Sequence, residues 1–411
     1  MRQTPISKVQ ATLLAATLLT AAVGLSALAN PPRSSNAIST VEQLGEALFF
    51  DTNLSRNRTQ ACATCHVPDA GFVDPRELPA TGRAVSLGDD GHSLGDRNAP
   101  TVTYAHFSPK LHINAKGRWD GGLFHDGRAA TLEEQAAGPP LNPVEMGMPD
   151  KAGVVTRIKE NERYRAAFPL LFGANVFGSA DTAYAAMARA IAAYERTDTF
   201  APFDSKYDRY LRGEAKLTRQ EELGRVLFFA PQFANCSQCH KLHETGGAEG
   251  ETFTNYEFHN IGVPPNTAVR AVNGKGKTFV DRGLLDNTAV TDPAQEGKFR
   301  TPTLRNVAVT GPYMHNGVFK DLRTVILFYN KYVSRNPARQ INPETGQPWA
   351  APEVPRNLSL KELHDAPALD DRRVNALVAF LRTLTDKRYE HLLGEPEKTG
   401  RSASRPASER H

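Results

Sequence analysis

The chain has 411 residues, a formal charge of +4, 40% hydrophobic residues and 23% charged residues. That length holds two or three ordinary domains, and the composition is globular rather than fibrous or disordered. A nearly neutral chain lacks the broad basic surface that nucleic acid or an anionic membrane would need, so neither is expected as a partner.

At the N-terminus, Arg2 and Lys8 precede an apolar run from Ala11 to Leu25, and Ala27-Leu28-Ala29 supplies a small-x-small cleavage site. A positive start, a short apolar core and that ending predict a secretory signal peptide over residues 1–29. The two bases leave with it, so +4 falls to +2. Export points to the periplasm, and no later segment is apolar enough to span a bilayer.

The chain then repeats itself. Ser39 to Phe50 returns 179 residues later as Thr218 to Phe229. Each copy predicts a helix opened by a capping box, Ser39 with Glu42 and Thr218 with Glu221. One face is apolar in each: Leu44, Leu48 and Phe49, then Leu223, Leu227 and Phe228. Gly45 and Gly224 fall at the same point, where a missing side chain permits close helix packing. Each half ends on a second helical pattern. Tyr184, Met187, Ala188, Ile191 and Tyr194 form one face; Val374, Leu377, Val378, Leu381 and Leu384 form the other, after Asp370 and Asp371. Stretches 68–100 and 243–300 are dense in Gly, Pro, Asn and Asp and predict loops.

All four cysteines lie in Cys62-Ala63-Thr64-Cys65-His66 and Cys236-Ser237-Gln238-Cys239-His240. That spacing lets two thiols bond the vinyl groups of one haem while the adjacent histidine ligates iron. Zinc would need a second pair of ligands at suitable spacing, and none is apparent. Local disulfides would leave the histidine after each motif unexplained. Two covalent haem c groups are therefore expected, each filling the centre of a domain that few helices could stabilise alone. The expected fold is mainly α: two class-I cytochrome-c-like haem domains with long irregular loops, at residues 36–205 and 212–392. A polar tail at 394–411, rich in Ser, Arg, Glu and Pro, is expected to be disordered.

Further motifs carry a resemblance. They are Arg97-Asn98-Ala99-Pro100-Thr101, Asp126-Gly127-Arg128, Leu132-Glu133-Glu134-Gln135-Ala136, Asn142-Pro143-Val144-Glu145-Met146, Arg300-Thr301-Pro302-Thr303-Leu304-Arg305-Asn306 and Pro312-Tyr313-Met314-His315-Asn316-Gly317. With the two haem motifs, they make residues 40–390 resemble the bacterial diheme cytochrome c peroxidase and MauG family. The resemblance implies a peroxide-reactive N-terminal haem on His66 and an electron-transferring haem on His240. It implies Glu145 as acid–base catalyst and Gln135 as the group that orients peroxide or water. It also implies one calcium ion held by the Asn98 side chain and the carbonyls of Thr310 and Pro312, all oxygen donors as a hard cation prefers. Homodimers are common in the family, and a dimer is the corresponding expectation.

Four positions need separate treatment. His92 lies on the loop where many such peroxidases carry a displaceable ligand of the first haem, and it reads equally as a Gly-flanked surface residue. Tyr329 stands 14 residues after His315, where typical members place the methionine ligand of the second haem and MauG places tyrosine. Tyr329 is the expected ligand; the alternatives are a packing role for it and ligation by Met314. His125 occupies the position of the family's inter-haem tryptophan, with Trp119 upstream as a substitute only if the fold brings it near. His259 is assigned no role.

Three functions compete. The first is a periplasmic cytochrome c peroxidase that reduces hydrogen peroxide to water with electrons from a monohaem cytochrome c or cupredoxin. The second is a MauG-like enzyme that oxidises residues of a partner protein. The third is a diheme electron carrier without catalysis.

Overall fold

The structure is a computed structural model that describes residues 37–242 and 248–394. The leader expected over residues 1–29 lies outside the described residues, as does the expected tail beyond Gly394.

The first half carries α1 (Val41–Phe49), α2 (Cys62–Cys65), α3 (Leu132–Ala136), α4 (Lys151–Glu160), α5 (Glu162–Phe172) and α6 (Ala180–Glu195). The second carries α7 (Lys206–Leu211), α8 (Arg219–Phe229), α9 (Thr267–Val272), α10 (Leu322–Asn330), α11 (Leu360–Leu363) and α12 (Asp371–Arg382). Among the described residues, sheet is confined to three antiparallel two-stranded ribbons: β1 (His112–Ile113) with β2 (Trp119–Asp120), β3 (Phe258–His259) with β4 (Phe299–Arg300), and β5 (Ile341–Asn342) with β6 (Gln347–Pro348). The protein is thus mainly α with long irregular loops.

The repeated helices pack as their glycines require. A Cβ on Gly45 would lie 1.9 Å from the Ala190 carbonyl oxygen, and one on Gly224 would lie 1.9 Å from that of Ala376. Helix α1 therefore crosses α6, and α8 crosses α12, with backbones in direct contact. Around these crossings lie two main apolar cores. The first includes Leu44, Leu48, Phe49, Met187, Ile191 and Phe200. The second includes Leu227, Phe228, Phe253, Leu377, Phe380 and Leu384. Leu223 and Val378, expected on the inner faces, are only partly buried at the margin of the second core.

One cap differs from expectation. Thr40, not Ser39, is the N-cap of α1: its hydroxyl accepts from the Gln43 N–H at 3.2 Å, and the Gln43 side chain accepts from the Thr40 N–H at 3.3 Å. Ser39-x-x-Glu42 and Thr40-x-x-Gln43 both satisfy the pattern. Gln43 prevails because its side-chain oxygen also accepts from the Ser39 N–H at 2.9 Å. The second copy caps as expected, Thr218 with Glu221.

From Ile38 onward the chain forms one compact unit. Polar ties join its halves. Arg97 pairs with Asp126 and with Asp281, each at 2.7 Å. Asp386, in the C-terminal segment, accepts from the Tyr104 hydroxyl at 2.6 Å and from the Asn306 carboxamide at 2.8 Å. Within the second half, the buried Arg305 binds Asp208 through both terminal nitrogens, at 2.5 and 2.9 Å.

Candidate active site

The two Cys-x-x-Cys-His segments are anchored alike. Phe72 and Phe253 both take a left-handed backbone, with φ of 56° and 55°. That turn aims each carbonyl at a histidine ring: His66 Nδ1 lies 3.1 Å from the Phe72 oxygen, and His240 Nδ1 lies 3.3 Å from the Phe253 oxygen. A carbonyl at Nδ1 fixes the tautomer that leaves Nε2 as the metal-ligating nitrogen. Burial lowers both imidazole pKa values, that of His240 to about 4, so the rings stay neutral as ligands must. All four cysteines are free of disulfides. Burial pushes the thiols up to about 12 for Cys62, Cys236 and Cys239 and about 11 for Cys65. Among the described residues no cluster of three or more His, Cys, Asp or Glu could hold a metal ion. The zinc and disulfide alternatives therefore find no support.

Beside Cys236, Cys239 and His240 opens a cavity of about 350 Å³, walled by apolar side chains such as Phe228, Leu304, Ile326, Leu377 and Leu381. A flat, largely apolar macrocycle whose iron takes one imidazole fits this donor set and this wall. Tyr329, on α10, and Met314 both line the cavity. Burial raises the Tyr329 phenol above its usual range, so the ring is neutral unless a cation stabilises the phenolate. His259 also lines it, with Nε2 3.6 Å from Cys239 Sγ.

In the first half, Glu145 is half-buried. Its Oε1 accepts from the Asn142 carboxamide at 2.7 Å. Desolvation raises the carboxyl pKa, opposed by Arg128 and by the Asn142 bond. Gln135 sits in the last turn of the short helix α3, half-buried. The 139–148 segment that carries Glu145 is held by backbone bonds from Met146 and Met148 N–H to the Pro139 and Pro140 carbonyls, at 3.3 and 2.9 Å.

His92 is not enclosed with this group. Its side chain is 81% exposed, with Nδ1 3.0 Å from the Asp90 carbonyl and Nε2 3.3 Å from the Asp90 carboxylate. The cause is local: Asp90 accepts from the N–H groups of His92 and Ser93, at 3.0 and 2.8 Å, and closes a tight surface turn. His92 thus lies on the surface in this structure.

Between the halves, His125 is half-buried, its Nε2 3.0 Å from the Asn98 carbonyl oxygen. Burial lowers its pKa to about 4. Trp119 lies in a small apolar cluster with Leu111, Phe258, Leu284 and Val290 and is not among the residues that line the cavity with His125. Asn98, Thr310 and Pro312 line the same cavity as His125. The Asn98 Nδ2 donates to the Arg83 and Ala84 carbonyls, at 3.3 and 3.1 Å, which leaves its Oδ1 as the acceptor.

Two buried groups went unread in the sequence. His315 stacks on Phe299 with ring centroids 3.6 Å apart, and its buried Nε2 has no hydrogen-bond partner. The signal was there: Met314-His315-Asn316-Gly317 repeats Phe124-His125-Asp126-Gly127 190 residues on. Met314 and Phe124 share a left-handed backbone, with φ of 71° and 63°. Glu195, at the end of α6, has a buried Oε2 without a partner, and burial pushes its carboxyl up to about 8. No motif announced it.

Comparison with known proteins bears on the whole arrangement. A model of the di-haem cytochrome c peroxidase family matches residues 39–216. The methylamine utilization protein MauG of Paracoccus denitrificans is 58% identical over 352 residues, 86% of this chain and 90% of that protein. The cytochrome c551 peroxidase of Pseudomonas aeruginosa is 34% identical over 288 residues, 69% of this chain and 70% of that protein. The crystal structure of the diheme peroxidase BthA from Burkholderia thailandensis superposes with a TM-score of 0.75 at 34% identity, covering 88% of this chain and 89% of that one. The duplicated haem motifs, the helical scaffold and these likenesses agree: the chain belongs to the di-haem cytochrome c peroxidase and MauG family.

Proposed function

We propose that the protein is a periplasmic, MauG-like diheme enzyme that reduces hydrogen peroxide and draws the electrons from oxidisable residues of a partner protein. The observation that carries this reading is Tyr329 in the cavity of His240, at the place where typical peroxidases have methionine. Phenolate oxygen is a hard anionic donor that favours ferric and higher states, whereas thioether sulfur favours the ferrous state. The 58% identity to a MauG protein supports the same choice.

Each half is read as one haem domain, over residues 36–205 and 212–392. His66 would hold the peroxide-reactive haem through Cys62 and Cys65, and His240 the second through Cys236 and Cys239. The haems supply redox storage and peroxide cleavage. Glu145 takes a proton from the near oxygen of peroxide and returns it to the departing oxygen. A carboxyl whose pKa is raised by desolvation suits both roles near neutral pH. Gln135 orients peroxide or water. Per peroxide, two electrons and two protons yield two waters. His92, bound to Asp90 in solvent, leaves the first haem without that ligand, so no reductive activation is needed. Asn98 Oδ1 and the carbonyls of Thr310 and Pro312, which line one cavity, would hold a calcium ion.

Steady-state assays with peroxide and a reduced monohaem cytochrome c test the choice. Slow turnover, with a haem spectrum that responds to peroxide and ceases to respond in Glu145→Gln, is expected. Fast turnover with the small donor would restore the cytochrome c peroxidase reading. No response to peroxide in either protein would leave the electron carrier.

A further inference from the structure

The cavity that holds Tyr329 reaches the surface through aromatic rings. Phe328, fully buried, lies edge-on to Tyr329 with centroids 6.1 Å apart, and edge-on to Trp349 at 5.5 Å. Those are contact separations for aromatic pairs. Trp349 follows strand β6 and is only partly buried, while its hairpin neighbours Ile341 and Pro348 are exposed. Beside this apolar spot stand Lys320, exposed and joined to the hairpin loop through its N–H, and Lys331, whose ammonium lies 4.0 Å from the Phe328 ring centroid and 5.7 Å from that of Trp349. Glu344 and Asp321 add two negative charges here, but Lys320, Lys331 and the pair Arg323 and Arg339 that shares Asp371 leave the surroundings basic on balance.

The Trp349 indole N–H donates to the Arg339 carbonyl oxygen at 2.8 Å. A backbone carbonyl is not a base at neutral pH. An indole that loses an electron there keeps its proton, so electrons alone move and the ring is restored by the next electron. The chain's other tryptophan, Trp119, belongs to a cluster that does not line the cavity.

We infer that Trp349 is the electron port of the second half. Trp349 gives up one electron by way of Phe328 to the Tyr329 cavity, where the haem oxidised by peroxide would be the oxidant, and a partner docked on the Ile341–Pro348–Trp349 surface restores the indole with one electron. Two such transfers match the two electrons that one peroxide consumes. The basic rim selects an acidic partner, whose approach screens with salt. This inference rests on the redox function proposed above and adds to it the surface at which electrons arrive.

The test uses the holoprotein and Trp349→Phe, which keeps an aromatic ring but not the readily oxidised indole. Protein first oxidised with peroxide is mixed in stopped flow with a reduced, acidic cupredoxin as probe. The variant should reduce its second haem slower by roughly an order of magnitude, with an unchanged midpoint potential and absorption spectrum for that haem. Equal rates overturn the inference, as does a slowed rate accompanied by a shifted potential, which would mark a packing role. Separately, wild-type protein treated with peroxide and no donor is mapped by mass spectrometry. Oxygen addition at Trp349 above that at Trp119 supports the port; the reverse order, or none at Trp349, overturns it. A protein whose spectrum ignores peroxide would lose the proposed function, whereas one that responds to peroxide and shows equal rates in both forms would lose the port alone.

Discussion

The two halves share a scaffold and diverge in what they aim into it. Both cross two helices at a glycine, both anchor a histidine Nδ1 on the carbonyl of a left-handed phenylalanine, and both place a His-x-Gly segment at the junction. The differences lie in the inserts. The first half adds residues 139–148 with a carboxyl, Glu145, whose pKa is raised and which can move a proton. The second offers Tyr329, half-buried, on a helix continuous with an aromatic path to the surface. A duplicated fold thus keeps its backbone contacts, which tolerate little change, and differentiates through segments laid over them.

The sharpest way to break the equivalence of the scaffolds is at the glycines. Gly45→Ala and Gly224→Ala each force a Cβ to within 1.9 Å of a carbonyl oxygen, so the helices must separate. Each should cost about 3 kcal/mol or more in chemical denaturation of the holoprotein. A large effect at one site and none at the other would end the claim of like construction.

Next comes the divergence in chemistry. Glu145→Gln should slow the reaction with peroxide by roughly 10²–10⁴-fold in stopped-flow spectroscopy. Tyr329→Phe should alter the spectrum of the second haem and leave that bimolecular step nearly intact. In the wild type the rate should fall on acidification at a pH above the ordinary carboxyl value of 4.5, because the raised pKa protonates the base early. Gln at 145 should flatten that limb.

A smaller effect concerns Glu195, a first-half residue. Unfolded, its carboxyl loses its proton near 4.5; folded, it keeps it up to about 8. Between those values the folded state binds one more proton, so stability falls as pH rises. Glu195→Gln should match the wild type near pH 4 and exceed it at pH 8, by on the order of 3 kcal/mol. A melting difference that does not vary with pH would refute the burial of this acid.

The smallest effect is expected at His92. His92→Ala should shift stability by no more than about 0.5 kcal/mol and leave the spectrum of the first haem unchanged. Loss of a low-spin signal in electron paramagnetic resonance would instead return His92 to the iron.

Sequence alone determined the features set by short spacings. Cys-x-x-Cys-His at 62–66 and 236–240, the Gly45 and Gly224 crossings and the apolar faces of α1, α6, α8 and α12 all follow from periodicities that need no third dimension. The choice between Ser39 and Thr40 as cap escaped it, because both satisfy the same four-residue pattern. Only the tertiary structure decided which side chains meet across long separations. It turned His92 outward on an Asp90 turn, put Trp119 in a cluster of its own, buried Glu195 without a partner, and set Phe328 between Tyr329 and Trp349. Those outcomes depend on how loops of irregular backbone pack between the helices, and no local period in the chain encodes that.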